Sequence, residues 1–85
     1  MKRKMITFCQ IHIYNKEDKL VQGNIELYTT HKKGKARGLD VYRRITQKKN
    51  GRPKWKQDIN GSEHFVHKDE NGFLHWVLVM EQAVY

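Results

Sequence analysis

The stretch from His31 to Lys56, HKKGKARGLDVYRRITQKKNGRPKWK, constrains this chain more than any other. It holds eleven basic residues, Lys32, Lys33, Lys35, Arg37, Arg43, Arg44, Lys48, Lys49, Arg52, Lys54 and Lys56, against one acid, Asp40. With histidine neutral its formal charge is +11 − 1 = +10, while the whole chain is +8, so everything outside it sums to −2. A near-neutral body therefore carries one cationic segment. A field of that kind selects a class of partner, polyanions, rather than a reaction.

The remaining composition sets the scale of the fold. Eighty-five residues make a single domain spanning 1–85. A domain of this size buries roughly 60–65% of the surface its unfolded chain exposes, so most apolar side chains are committed to one core. The apolar residues fall into short patterned runs, which excludes wholesale disorder. There is one cysteine, Cys9, so no intrachain disulfide can form. Its mid-strand position marks it as a small buried apolar residue rather than a reactive thiol. The basic tail of residues 1–4 resembles the start of a signal peptide, but the run after it contains Gln10 and His12 and lacks a small-residue cleavage site. No apolar stretch approaches the roughly 18 residues of a membrane helix. A soluble, cytoplasmic protein without a membrane partner is expected.

Read in order, Met5–Tyr14 and Leu20–Thr30 are strands around a polar turn at 15–19. Pairing Ile13 with Val21, Ile11 with Gly23, Cys9 with Ile25 and Thr7 with Leu27 sorts the apolar residues to one face. The other face keeps Ile6, Phe8, Leu20 and Tyr28, so it is either covered by another strand or is an interface, a homodimer contact included. Residues 31–38, with two glycines and four basic residues, read as a mobile loop, and Leu39–Gln47 as a strand. Three Asn-Gly pairs, at 50–51, 60–61 and 71–72, mark hairpin turns at meander spacing. At the first, a three-residue loop with Gly51 as the bulge residue sets Ile45 against Trp55 and Val41 against Ile59 on an inner face. The outer face then holds Arg44 opposite Lys56, Thr46 opposite Lys54, Lys48 opposite Arg52 and Tyr42 opposite Asp58. In that register Trp55 belongs to the core, Tyr42 is the exposed aromatic, and Arg43 points inward. Glu63–Lys68 and Phe73–Met80 form the last hairpin. The second of these is apolar on both faces, so it is expected to be the central strand with Trp76 in the core. The expected class is all-β: a small antiparallel meander of five or six strands, as a curled sheet or half-barrel. The alternative is α+β with a C-terminal helix.

Like charges directly opposite each other destabilise a sheet, so the outer face of such a hairpin makes sense only with a polyanion against it. The sequence therefore points to a non-catalytic nucleic-acid-binding module that reads the phosphate backbone, of DNA or RNA. The binding residues would be Lys32, Lys33, Lys35, Arg37, Tyr42, Arg44, Lys48, Lys49, Arg52, Lys54 and Lys56. The competing class is a small inhibitor or adaptor docking the same basic face on an acidic protein or a nucleoprotein complex. Five histidines are present, and a three-residue final loop would set His67 opposite His75. No third ligand has suitable spacing, so neither a metal site nor a cofactor is expected. Glu26, His12, His31 and Arg43 supply the residue types of a nuclease, but without a phosphate loop, nucleophile elbow or zinc signature.

Overall fold

The β-branched and aromatic runs do form strands. The computed structural model describes residues 4–84 and shows β1 (Lys4–Tyr14), β2 (Leu20–Tyr28), α1 (His31–Thr46), β3 (Lys56–Gln57), β4 (Glu63–Lys68) and β5 (Leu74–Val84). The strands make one antiparallel sheet in the order β2-β1-β5-β4-β3, with α1 across one face. Five antiparallel strands and the central place of β5 agree with expectation. The sheet is open rather than a closed barrel, and the class is α+β, with the helix in the middle of the chain instead of at its C-terminus. No helix among the described residues is long and apolar enough to cross a membrane. Most of the basic tail, residues 1–3, lies outside the described residues, and Lys4 already begins β1.

The helix overturns two readings at once, the loop at 31–38 and the strand at 39–47. Its start is set by Thr30, whose extended backbone (φ −138°, ψ 153°) lets Oγ1 accept a hydrogen bond from the Lys33 amide at 3.2 Å. Gly34, Gly38 and Val41 are buried, with Tyr42 and Ile45 half-buried beside them, a single stripe at helical spacing. Arg43 and Arg44 in the last turn suit the negative end of the helix dipole, and Gln47 ends the helix in the left-handed region (φ 57°). The first turn contains no acid. The sheet supplies it: His31 Nε2 lies 2.9 Å from Glu63 Oε1, His31 Nδ1 lies 3.5 Å from Glu81, and Lys35 Nζ lies 3.0 Å from the second Glu63 oxygen.

The two glycines that suggested a loop are what let the helix lie low on the sheet. A Cβ on Gly34 would stand 2.8 Å from Thr7 Cγ2 and 2.9 Å from Val79 Cγ1, and one on Gly38 would stand 2.6 Å from Trp55 Cη2. Beneath them Thr7, Cys9, Val77 and Val79 are sealed from solvent, and Phe65 nearly so. Cys9 is the buried apolar residue expected, its thiol pushed up to about 11 chiefly by burial.

The β1–β2 register differs from the expected one by a single residue. Ile13 faces Gln22 and Cys9 faces Glu26, and the register shifts between Ile13 and Tyr14, where Tyr14 pairs with Leu20. A one-residue slip exchanges the faces of a strand. Glu26 and Tyr28 therefore turn under the helix, while Ile25 and Leu27 turn away from it and are 56% and 61% exposed. The face without a helix also carries Ile6, Phe8, Trp76, Leu78 and Met80. Trp76 is thus not in the core. It lies half-buried on this open face, its ring 5.4 Å from that of His12 and 6.4 Å from that of His64.

The second and third Asn-Gly pairs make the expected turns, with φ of +86° at Gly61 and Gly72. β4 spans the residues expected of it, and His67 faces His75. The first Asn-Gly pair makes no hairpin: Gly51 closes a short turn onto Lys48 after the helix, and the chain then runs extended into the two-residue β3.

The helical glycines give a prediction with an informative sign. Gly to Ala in an exposed helix stabilises by about 0.5–1 kcal/mol. At Gly34 the new methyl meets two core side chains, and overpacking of that kind costs about 1–3 kcal/mol. Gly34→Ala should therefore lower the urea unfolding midpoint, and a raised midpoint would show that the helix is not held this close to β1 and β5.

Candidate functional site

The eleven cations of the 31–56 stretch divide into two groups. In α1 three of the six, Lys35, Arg37 and Arg44, are tied to carboxylates. Arg37 Nε lies 2.9 Å from Glu26 Oε1 and its Nη1 lies 3.0 Å from Asp40; Arg44 Nη2 lies 3.2 Å from the same Asp40 oxygen; Lys35 is held by Glu63. Arg43 was expected to point inward, and its Nε donates to the Gly51 carbonyl at 3.1 Å, pinning the turn after the helix. Lys33 reaches the Thr29 hydroxyl, and Lys32 is exposed.

The Glu26–Arg37 pair closes α1 onto β2. The Arg37 hydrogen bond, with a second from Tyr28 Oη at 2.6 Å, holds the Glu26 carboxyl below its ordinary range. Burial beside that carboxylate pushes the Tyr28 hydroxyl up to about 12. Glu63 is also held low: burial works against its ionisation, but hydrogen bonds from His31 and Lys35 outweigh it.

The second group is the connection from α1 to β3. Lys48, Lys49, Arg52, Lys54 and Lys56 are exposed, no acid lies among residues 48–56, and none of the five forms an ion pair among the described residues. The segment is nonetheless fixed in place. Trp55 is half-buried, its ring edge-on to Phe65 at 5.0 Å and against Gly38, with Lys35 Nζ 5.3 Å from the ring centre. The expectation that Trp55 is a core residue stands, with Phe65 as its ring partner.

A shallow groove lies on each side of this segment. One, of about 390 Å³, runs between it and α1, lined by Lys32, Lys35, Ala36, Leu39, Arg52, Pro53 and Trp55. The other, of about 360 Å³, wraps the edge of β4 where β3 stops and is lined by Tyr42, Arg52, Pro53, Lys54, Lys56, His64, Phe65, Val66 and His67. Arg52 and Pro53 form the ridge between them.

The expected ribbon of residues 42–56 is therefore corrected. Arg44 and Lys56 do not face each other, because one is on α1 and the other on β3. Tyr42 is not the exposed aromatic: its ring packs edge-on against Phe65 at 5.6 Å and against His67 at 5.9 Å. Ile59, expected in the core, is fully exposed at the turn before β4. A helix turns its residues through all directions, so the α1 cations do not all join one strip with Lys48–Lys56: Lys32 and Lys35 line the groove beside Arg52, whereas Arg37 and Arg44 meet Glu26 and Asp40.

The nuclease-type residues are dispersed. Glu26 holds Arg37, His31 holds Glu63, Arg43 holds the Gly51 carbonyl, and His12 lies on the open face. His75 and His64 each meet a single carboxylate, Asp69 at 2.9 Å and Asp58 at 3.0 Å. No group of three or more His, Cys, Asp or Glu converges as metal ligands among the described residues. No family model, curated protein or solved structure matches the chain.

The clamp between α1 and the sheet makes stability depend on pH. The Glu26 and Glu63 carboxyls ionise more readily folded than unfolded, so their contribution is complete above the ordinary glutamate value of 4.5 and is lost as pH falls through the lower folded values. Urea midpoints measured downward from pH 6 should fall below pH 4.5. Glu26→Gln should cost about 1–2 kcal/mol at neutral pH, since solvent partly screens this half-buried pair, and should flatten the acid limb.

Proposed function

We propose that the chain is a non-catalytic nucleic-acid-binding module that contacts the phosphate backbone through residues 48–56, with Lys32 at the rim. The observation that carries this reading is the division of the cations. Glu26, Asp40 and Glu63 pair with Arg37, Arg44 and Lys35 of the helix, and the largest run of cations without a carboxylate partner among the described residues stands on one fixed, irregular segment, KKNGRPKWK. A solvated surface kept only for solubility usually mixes both signs. Here five cations stand together on a segment anchored at Gly51 and Trp55, so little conformational freedom is lost when a ligand binds. Grooves on both sides of the Arg52 ridge suit a strand backbone better than a deep pocket would. Charge of this kind gives affinity and register but little sequence discrimination.

The test is a titration with mixed-sequence nucleic acid, single-stranded and duplex, over a range of salt. Binding should weaken steeply, with a log–log slope of about −4.5 on duplex if all five cations meet phosphates. Reversing Arg52, Lys54 and Lys56 to Glu should reduce affinity more than a hundredfold. Reversing Lys16 and Lys19, in the turn between β1 and β2, should change it little. Absence of binding at low salt, or equal losses in both variants, would overturn the assignment.

A further inference from the structure

The two edges of the sheet are built differently. The β3 edge is two residues long and is preceded by Pro53 and Lys54, with Lys56 in the strand itself. Short length, proline and lysine are how sheets avoid pairing with other chains. The β2 edge has none of these. It runs nine residues, Leu20–Tyr28, without lysine, arginine or proline, and all but Glu26 and Tyr28 are exposed. Ile25 and Leu27 stand out of the open face, and Leu20 and Val21 at the bulge are 54% and 53% exposed.

The geometry points to a second copy of this chain as the occupant of that edge, with β2 pairing antiparallel to β2 across a two-fold axis beside Asn24. This register pairs the regular stretch Gln22–Glu26 with itself, short of the bulge at Val21, and sets Gln22 opposite Glu26 of the other copy and Ile25 opposite Gly23. Gly23 carries no side chain of its own to oppose the isoleucine, and the atoms nearest its Cβ position, His12 Cδ2 and Leu20 Cδ2 at 3.5 and 3.6 Å, would be the isoleucine's neighbours. Moving the axis to Glu26 would set two glutamates opposite each other. Charge favours the same arrangement. The free cations lie at the opposite edge of the sheet, so in a ten-stranded dimer they sit at its two ends, on the order of 40 Å apart at about 4.8 Å per strand. That exceeds the roughly 8 Å screening length at physiological salt several-fold. The protected β3 edge stops the assembly at two, since a closed isologous contact uses each β2 once.

Sedimentation equilibrium on the full chain should return twice its 10.2 kDa mass. Ile25→Lys with Leu27→Lys, both exposed positions, should weaken association at least a hundredfold while leaving the circular dichroism spectrum unchanged. Independently, Asn24→Cys should cross-link to itself with a short thiol-specific reagent, because Cys9 is buried, whereas Glu70→Cys in the turn before β5 should not. A monomer at every concentration, a double-lysine variant that dimerises undiminished, or equal cross-linking at positions 24 and 70 would each overturn the proposal. None of these readouts involves nucleic acid, so they stand or fall apart from the binding reading.

Discussion

The closeness of α1 to the sheet is the constraint on which the rest of the molecule depends. A core with so few sealed side chains, Thr7, Cys9, Val77 and Val79, stays dry only if something flat lies directly on it. Gly34 and Gly38 make the helix flat there. Larger residues at those positions would lift the helix by the width of a side chain and open a gap over Val77 and Val79, losing the contacts that a close-packed interior supplies. The same closeness sets the electrostatics. Every acidic residue on the strands, Glu26, Glu63 and Glu81, turns toward the helix, and the first two meet Arg37, Lys35 and His31 there. The helix is therefore held by a thin apolar contact surrounded by half-buried ion pairs, and those pairs absorb the cations nearest the core.

Much of the sheet was legible because its signals are local. Alternation in β1, the Asn-Gly turns at 60–61 and 71–72, and the apolar density of β5 each depend on a few neighbouring residues. The helix was not legible by the same logic, since its stripe contains two glycines, which carry no hydrophobic signal and ordinarily mark turns. The clue available was Thr30 followed by Gly34, Gly38, Val41 and Ile45 at helical spacing, with Arg43 and Arg44 at the far end. Small residues can define the buried face of a helix as well as large ones. The β1–β2 register failed for another reason. An alignment that puts the most apolar residues on one face assumes that one face is buried and the other wet, and here Ile25 and Leu27 lie on the face that α1 leaves open.

The candidate site shows a similar split between count and arrangement. The excess charge of 31–56 and its list of residues were readable directly. Which of those residues remain unneutralised depends on partners far away in sequence: Glu26 for Arg37 and Glu63 for Lys35. Long-range pairing of this kind leaves no mark in the local pattern. It is also what makes a diffuse basic stretch more localised, because the structure pairs Lys35, Arg37 and Arg44 with acids and leaves Lys48, Lys49, Arg52, Lys54 and Lys56 together without one.

The pairing of β1 with β5 bears on how the chain acquires its structure. These strands are neighbours at the centre of the sheet, yet residues such as Phe8 and Met80 meet across most of the sequence. The β1–β2 hairpin and the β4–β5 hairpin can each form from local contacts, but neither has a covered face by itself. Joining them requires closing a long loop, and α1 has its complete floor only once both hairpins are side by side. During synthesis, β1 must wait with one edge and both faces open until the residues near 80 have left the ribosome. Over that interval the exposed run from Ile6 to Ile13 is open to the wrong partners, and that is when this fold depends most on being shielded from them.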